Sequence, residues 1–187
     1  MSALPSLDVL RGYLADRRLL AIFGGIYLVS QVVIVTIVDP LNGDTMLNLQ
    51  VTAFTAADYL RTFQGWEAAG TMPFYDAHLI FDDVHWIWYS IALSVFLALG
   101  LNAACLSSRW NFVLLFPPLA GILDCIENAL QHVFLSAPRY QMLIDPLPAI
   151  STSASIGKWI FFLSSFLLIA LFYLVAPLTR RRTGART

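Results

Sequence analysis

The chain has 187 residues, of which 58% are hydrophobic and only 12% charged, with a formal net charge of -1. A soluble domain is nearer half apolar and a quarter charged, so this is the composition of a membrane protein. The near-zero net charge, with basic residues not gathered on one face, excludes a nucleic-acid partner.

In chain order, Leu4–Asp16 places Leu7, Leu10 and Leu14 at helical spacing behind Ser6 as an N-cap, the pattern of a helix lying along a membrane surface. Leu19–Val38 follows without a charge and is long enough to cross a bilayer. Arg17 and Arg18 precede it like the charged start of a signal peptide, but the apolar run is too long and no small-x-small site follows, which predicts an uncleaved signal anchor. The connection 39–78 is mostly acidic. Within it Thr55-Ala-Ala-Asp58 predicts a capped helix with Tyr59, Leu60, Phe63 and Trp66 on its apolar side, lying across the outer mouth of a bundle; a solvated loop with one helical turn is the alternative. Further spans are predicted over Leu79–Leu101, Phe112–Leu135 and Ile156–Ala176. The short connection Asn102–Asn111 makes spans two and three antiparallel neighbours. Pro117-Pro118 should start or kink span three. The stretch Ser136–Ser155, with Pro138, Pro146 and Pro148, reads as an extended surface segment.

The fold class that follows is an all-α membrane protein, residues 1–187 forming one integral membrane domain. Its four transmembrane helices form an antiparallel bundle, with an extra amphipathic helix in the outer loop. Arg11, Arg17, Arg18, Arg109, Arg180, Arg181, Arg182 and Arg186 fall on one side, against Arg61 and Arg139 on the other and Lys158 at a span end. The positive-inside rule then places both termini in the cytoplasm of a bacterial inner membrane. Cys105 and Cys125 fall at different depths of different spans and predict no disulfide.

One stretch breaks the apolar pattern. Gly121-Ile-Leu-Asp-Cys-Ile-Glu-Asn-Ala-Leu-Gln-His132 puts Asp124, Glu127, Asn128, Gln131 and His132 inside span three. At 1.5 Å per residue, Asp82 and Asp83 of span two lie about 5 Å below the outer boundary, His85 about 9 Å and Tyr89 about 15 Å. In span three His132 lies about 5 Å deep, Glu127 about 12 Å and Asp124 about 16 Å, and Lys158 of span four about 5 Å. Charge in hydrocarbon is costly, so these faces should turn toward one another and form a polar pocket in the outer half of the membrane. Asn128 and Gln131 also suit interhelical hydrogen bonding alone, worth about 1 kcal/mol each. Of Asp82 and Asp83, one is expected to face solvent. Trp86, Trp88, Trp110 and Trp159, near span ends, read mostly as interfacial anchors.

Three chemistries were weighed against these residues. His78, Asp82 and His85 with Glu127 or His132 make an incomplete metal set: the chain has only three histidines and no paired Glu-x-x-His element, so neither a metal nor another cofactor is expected. There is no Gly-x-Ser-x-Gly and no cysteine–histidine register for nucleophilic catalysis. Acid–base work fits better. Burial and a neighbouring ammonium act in opposite senses on a carboxyl, so Glu127 and Asp124 should hold different protonation states, with Lys158 beside them. Asp82, His85, Tyr89, Asn128, Gln131 and His132 would contact the ligand.

The order Tyr75-x-x-His78-x-x-x-Asp82, Tyr89, Asp124-x-x-Glu127-Asn128 and a Ser/Thr-rich lead into Lys158-Trp159 resembles a family of small four-span bacterial membrane proteins, over about residues 75–175. The resemblance implies that these polar residues act as one set. A fainter likeness in layout, with Asp39 closing span one, is to the sterol-isomerase and sigma-2 receptor superfamily, although the isomerase's histidine and two glutamates are not matched position for position.

The function expected is a pocket for a lipid-like or isoprenoid small molecule, with acid–base catalysis on it by Glu127, Asp124 and Lys158. The alternatives are a proton- or cation-coupled transporter or channel subunit, and a non-catalytic assembly subunit. The expected partners are the lipid bilayer and that small molecule; a homo-oligomer or a membrane partner is compatible with the lipid-facing surfaces.

Overall fold

A computed structural model describes residues 6–136 and 138–184, with side chains as far as 177. The described residues form helices α1 (Leu7–Leu14), α2 (Arg17–Val38), α3 (Gly43–Thr52), α4 (Ala56–Ala69), α5 (Met72–Ala103), α6 (Phe116–Leu135) and α7 (Leu147–Gly184), with 3₁₀ segments at Asp39–Leu41 and Ser108–Leu115 and no strand. Leu4 and Arg186 of the sequence argument lie outside the described residues, as do the side chains of Arg180, Arg181 and Arg182.

Four segments are long and apolar enough to cross a membrane: Arg17–Leu41, Met72–Ala103, Ser108–Leu135 and Leu147–Pro177. Each is longer than the apolar run that announces it, because polar residues extend the helix beyond the hydrophobic stretch. Their large apolar side chains are widely exposed. Leu28, Val29 and Val32 of α2 are 66–68% exposed, and Leu167 and Leu174 of α7 are 72% and 73% exposed. In water such surfaces would be a liability; in hydrocarbon they are solvated.

The chain between Asp39 and His78 is mostly helical. The α3 helix starts at Asn42, whose side chain accepts from the Asp44 amide at φ 62°. The α4 helix opens with a reciprocal capping box: the Asp58 amide donates to Thr55 Oγ1 at 3.2 Å and the Thr55 amide to Asp58 Oδ2 at 3.3 Å. It closes at Gly70, φ 71°, in the left-handed conformation that glycine adopts without strain. The Thr55 hydroxyl holds the Asp58 carboxyl below the usual carboxylate range, so this cap contributes above that range and is lost as the pH falls through the lowered value. Thr55→Ala is expected to destabilise the fold by about 1 kcal/mol, read as a lower melting temperature in detergent.

The segment expected to be extended is helical from Leu147 onward. Pro148 lies in the first turn, where its missing N–H breaks no helical bond. The Ser/Thr-rich stretch before Lys158 is therefore part of α7, and Ser151, Thr152 and Ser155 are fully buried. At α6 the helix begins at Phe116, with Pro117 and Pro118 in its first turn.

The chain divides into two compact units. Unit one comprises residues 1–27, 88–120 and 160–187, and unit two residues 28–87 and 121–159. The core of unit one gathers Leu97, Leu101, Val113, Leu114 and Phe172, with Gly100 against Phe172: a Cβ there would lie 3.2 Å from the Phe172 Cβ. That of unit two gathers Leu41, Leu49, Tyr59, Phe63, Trp66, Tyr75 and Phe134. Phe63 is its hub, with ring centroids 5.4–6.1 Å from Tyr59, Trp66, Tyr75 and Tyr140. Charge is divided as sharply as contacts. Unit one holds eight arginines and two aspartates; unit two holds ten acids and only Arg61, Arg139 and Lys158 as cations.

Candidate functional site

Within unit two, three helices each turn one polar stripe inward. On α5 the stripe is Tyr75, His78, Asp82 and His85, on α6 Asp124, Glu127, Asn128 and Gln131, and on α7 Ser151, Thr152, Ser155 and Lys158. All twelve are buried. Steps of three and four keep residues on one face of a helix, which is why polar groups scattered in sequence converge in space.

Lys158 is the centre of the cluster. Its Nζ donates to Asp124 Oδ1 at 2.8 Å and pairs with Glu127 Oε2 at 2.6 Å. Gln131 Nε2 donates to the other oxygen, Glu127 Oε1, at 2.9 Å, and Gln131 Oε1 accepts from the Tyr75 hydroxyl. The Gln131 amide is thus fixed in orientation, and both oxygens of Glu127 face cations or donors. Asp82 lies within electrostatic reach of Asp124, Glu127 and Lys158 and beside Asn128. Asp82, Asp124 and Glu127 therefore share a single lysine. Fully ionised, they would leave two negative charges uncompensated by it in a region removed from water, an arrangement that a low-dielectric interior supports only with further positive charge or protons.

Polar groups at the margin have their own partners. His85 Nδ1 lies 3.1 Å from Ser30 Oγ of α2. The Tyr59 hydroxyl of α4 donates to Ser151 Oγ at 3.2 Å, and Thr152 Oγ1 donates to the Ala53 carbonyl. Burial raises the Tyr59 phenol above its ordinary value, so it stays a neutral donor at physiological pH. Trp159 Nε1 donates to the buried Gln50 at 3.1 Å, an indole bound to protein at a position expected to be an interfacial anchor. Four buried atoms of the cluster, His78 Nδ1, Asn128 Nδ2, Ser155 Oγ and Glu127 Oε2, make no hydrogen bond with the described residues, the last of them being ion-paired with Lys158.

The residues singled out in the sequence thus separate into three groups. Asp82, Asp124, Glu127, Asn128, Gln131 and Lys158 come together, with His85 buried at the edge against Ser30. His132 is exposed and pairs with the equally exposed Asp83 at 2.8 Å. Tyr89 belongs to unit one, where its ring packs edge-on against Phe162 with centroids 5.2 Å apart. Gln50 has no counterpart in the sequence reading, and Tyr59, expected only as an apolar side chain of its helix, donates to Ser151 in the Ser/Thr-rich lead. The signal for Ser151 is the density of small hydroxyl residues immediately before Lys158.

The described residues contain no group of three or more His, Cys, Asp or Glu side chains arranged to hold a metal ion. Cys105 and Cys125 are both free thiols. Compared with protein-family profiles, curated proteins and solved structures, the chain matches none.

Proposed function

We propose that the chain is an integral membrane protein whose unit-two cluster is the polar site for an amphipathic small molecule, lipid-like or isoprenoid, on which Glu127 and Asp124 act as an acid–base pair. The observation that carries this reading is the sharing of Lys158 by Asp124 and Glu127 at 2.8 Å and 2.6 Å in a buried setting, with a third carboxyl in reach. A buried ion pair is a costly way to hold helices together, and hydrophobic residues of the same volume often do so better. An acid set deep in an apolar span is a functional-site hypothesis by default.

In this reading the four span-length helices form an antiparallel bundle with both termini in the cytoplasm, which the concentration of arginine in unit one supports. The ligand's apolar body lies among the spans and its polar end meets the cluster from the outer leaflet. Lys158 binds both carboxylates, so a proton exchanged at Glu127 leaves the ammonium still paired with Asp124. Gln131, held by Tyr75, keeps Glu127 Oε1 in place while Oε2 exchanges its proton. His78 Nδ1 and Ser155 Oγ supply hydrogen-bonding capacity for the ligand's oxygen atoms.

The test is mass spectrometry of what co-purifies with the protein in mild detergent. Wild-type protein is expected to retain a stoichiometric lipid-like molecule, and Glu127→Gln, which preserves shape but removes the charge, to lose at least tenfold of it. Equal retention of every co-purifying species by wild type and by Glu127→Gln would sink the reading.

A further inference from the structure

The short helix α1 is tied to the rest of unit one by polar contacts and leaves two large apolar side chains exposed. Its two charged side chains are engaged with the rest of unit one: Asp8 Oδ1 accepts from Asn111 Nδ2 at 2.6 Å, and Arg11 donates to Asn102 Oδ1 at 2.8 Å and to the Leu106 carbonyl and Asn111 Oδ1 at 3.0 Å each. Leu14 packs against the unit-one core. Leu7, Leu10 and Leu14 are half-buried, and outward the helix leaves Asp8 together with two apolar side chains, Val9, 46% exposed, and Tyr13, 75% exposed. A solvated amphipathic helix presents its charges and hides its apolar side. Here the leucine side is packed, and Val9 and Tyr13 are apolar side chains left open beside it.

The same contacts fix where cations stand. They tie α1 to the 3₁₀ segment Ser108–Leu115, which carries Arg109, exposed, and Phe112, 48% exposed. Two residues after α1, Asp16 Oδ1 accepts from the Arg18 amide at 2.7 Å, and the side chains of Arg17 and Arg18 are exposed. Asp8 is next to Arg11 and Asp16 is next to Arg17, so the three exposed arginines Arg17, Arg18 and Arg109 outnumber the acids beside them. Val9, Tyr13 and Phe112 are thus exposed on contacting segments that also carry, or directly precede, three exposed arginines.

We propose that this surface is a binding site for anionic phospholipid in the leaflet around it, with Arg17, Arg18 and Arg109 on the phosphates and Val9, Tyr13 and Phe112 against the upper acyl chains. Tyrosine suits such a position because its ring is apolar and its hydroxyl reaches the headgroup level. The arginine fork pairs with phosphate oxygens in a way lysine cannot. The site uses no residue of the buried cluster, so it stands or falls separately from the acid–base reading.

The experiment counts bound lipid on the purified full-length protein by native mass spectrometry, titrating with either phosphatidylglycerol or phosphatidylcholine in mixed micelles. Each arginine held at an anionic surface contributes about fivefold in affinity. Wild type is expected to prefer phosphatidylglycerol by at least tenfold, and the triple variant Arg17→Gln/Arg18→Gln/Arg109→Gln to lose that preference with its melting temperature unchanged. Arg61→Gln, an exposed arginine of unit two, should retain it. Equal binding of the two lipids by wild type overturns the proposal, as does a preference that survives in the triple variant or disappears equally in Arg61→Gln.

Discussion

Lys158→Met is expected to cost the fold about 3–5 kcal/mol, the range for breaking a buried ion pair from one side. The lysine is 8% exposed and holds Asp124 and Glu127 at once, with Asp82 in reach. Methionine fills much of the same volume, so the loss comes from charge and not from a cavity. It leaves buried carboxylates with no cation, and they must take up protons or draw water between the helices. Thermal unfolding in detergent should show a large fall in melting temperature and a poor yield of monodisperse protein. The decisive comparison is Lys158→Met combined with Asp124→Asn and Glu127→Gln. Removing the acids along with the lysine should recover most of the lost stability, because neutral amides need no counter-charge. Additive damage in the combined variant would mean that Lys158 acts through packing.

Phe63→Ala should cost a comparable amount, about 3–5 kcal/mol, by a different route. The ring is fully buried among Tyr59, Trp66, Tyr75 and Tyr140. Truncation removes its transfer energy and opens a cavity that four rigid rings are poorly shaped to fill. All four neighbours also make polar contacts, and two of these reach the cluster: Tyr75 bonds Gln131, and Tyr59 bonds Ser151. The variant should therefore loosen the cluster's hydrogen bonds as well as the core, seen as faster amide exchange in α4. Phe63→Leu, keeping most of the volume, should lose less than half as much. If Phe63→Ala melts like wild type, α4 does not need this ring to stay docked.

The two variants probe features that were unequally visible in the sequence. The four span-length helices follow from apolar length alone, and the Thr55-x-x-Asp58 signature marks the start of α4 to the residue. The polar cluster was legible as far as helical phase extends. Asp124, Glu127, Asn128 and Gln131 fall within about 100° of one another around a helix, and all four are buried. His132 is reached from Asp124 by two steps of four, and those steps drift about 80° in total, enough to carry it off the buried face to Asp83. Tyr89 shares a face with Asp82, but phase gives direction around a helix and not position along it, and Tyr89 lies in the other unit. The helix α3 went unread because Gly43 and Asp44 resemble a turn and its apolar residues are few. The start of α7 is masked in the sequence because Pro138, Pro146 and Pro148 together spell an extended segment, although Pro148 lies in the first turn of the helix. The bonds of Tyr59 to α7 and of Trp159 to Gln50 join residues 92 and 109 positions apart, beyond any local pattern.

The placement of the single buried lysine also sets an order on biosynthesis. Asp82, Asp124 and Glu127 are carried by α5 and α6, whereas Lys158 comes on α7, 31 residues after Glu127. A ribosome that has delivered α6 has put three acids into the translocation machinery before their counter-charge exists. Until α7 is made, those two helices carry buried acids that lack their counter-charge, and burying charge without a partner is costly. A chain interrupted before Lys158 would carry Asp124 and Glu127 without the cation that pairs with both.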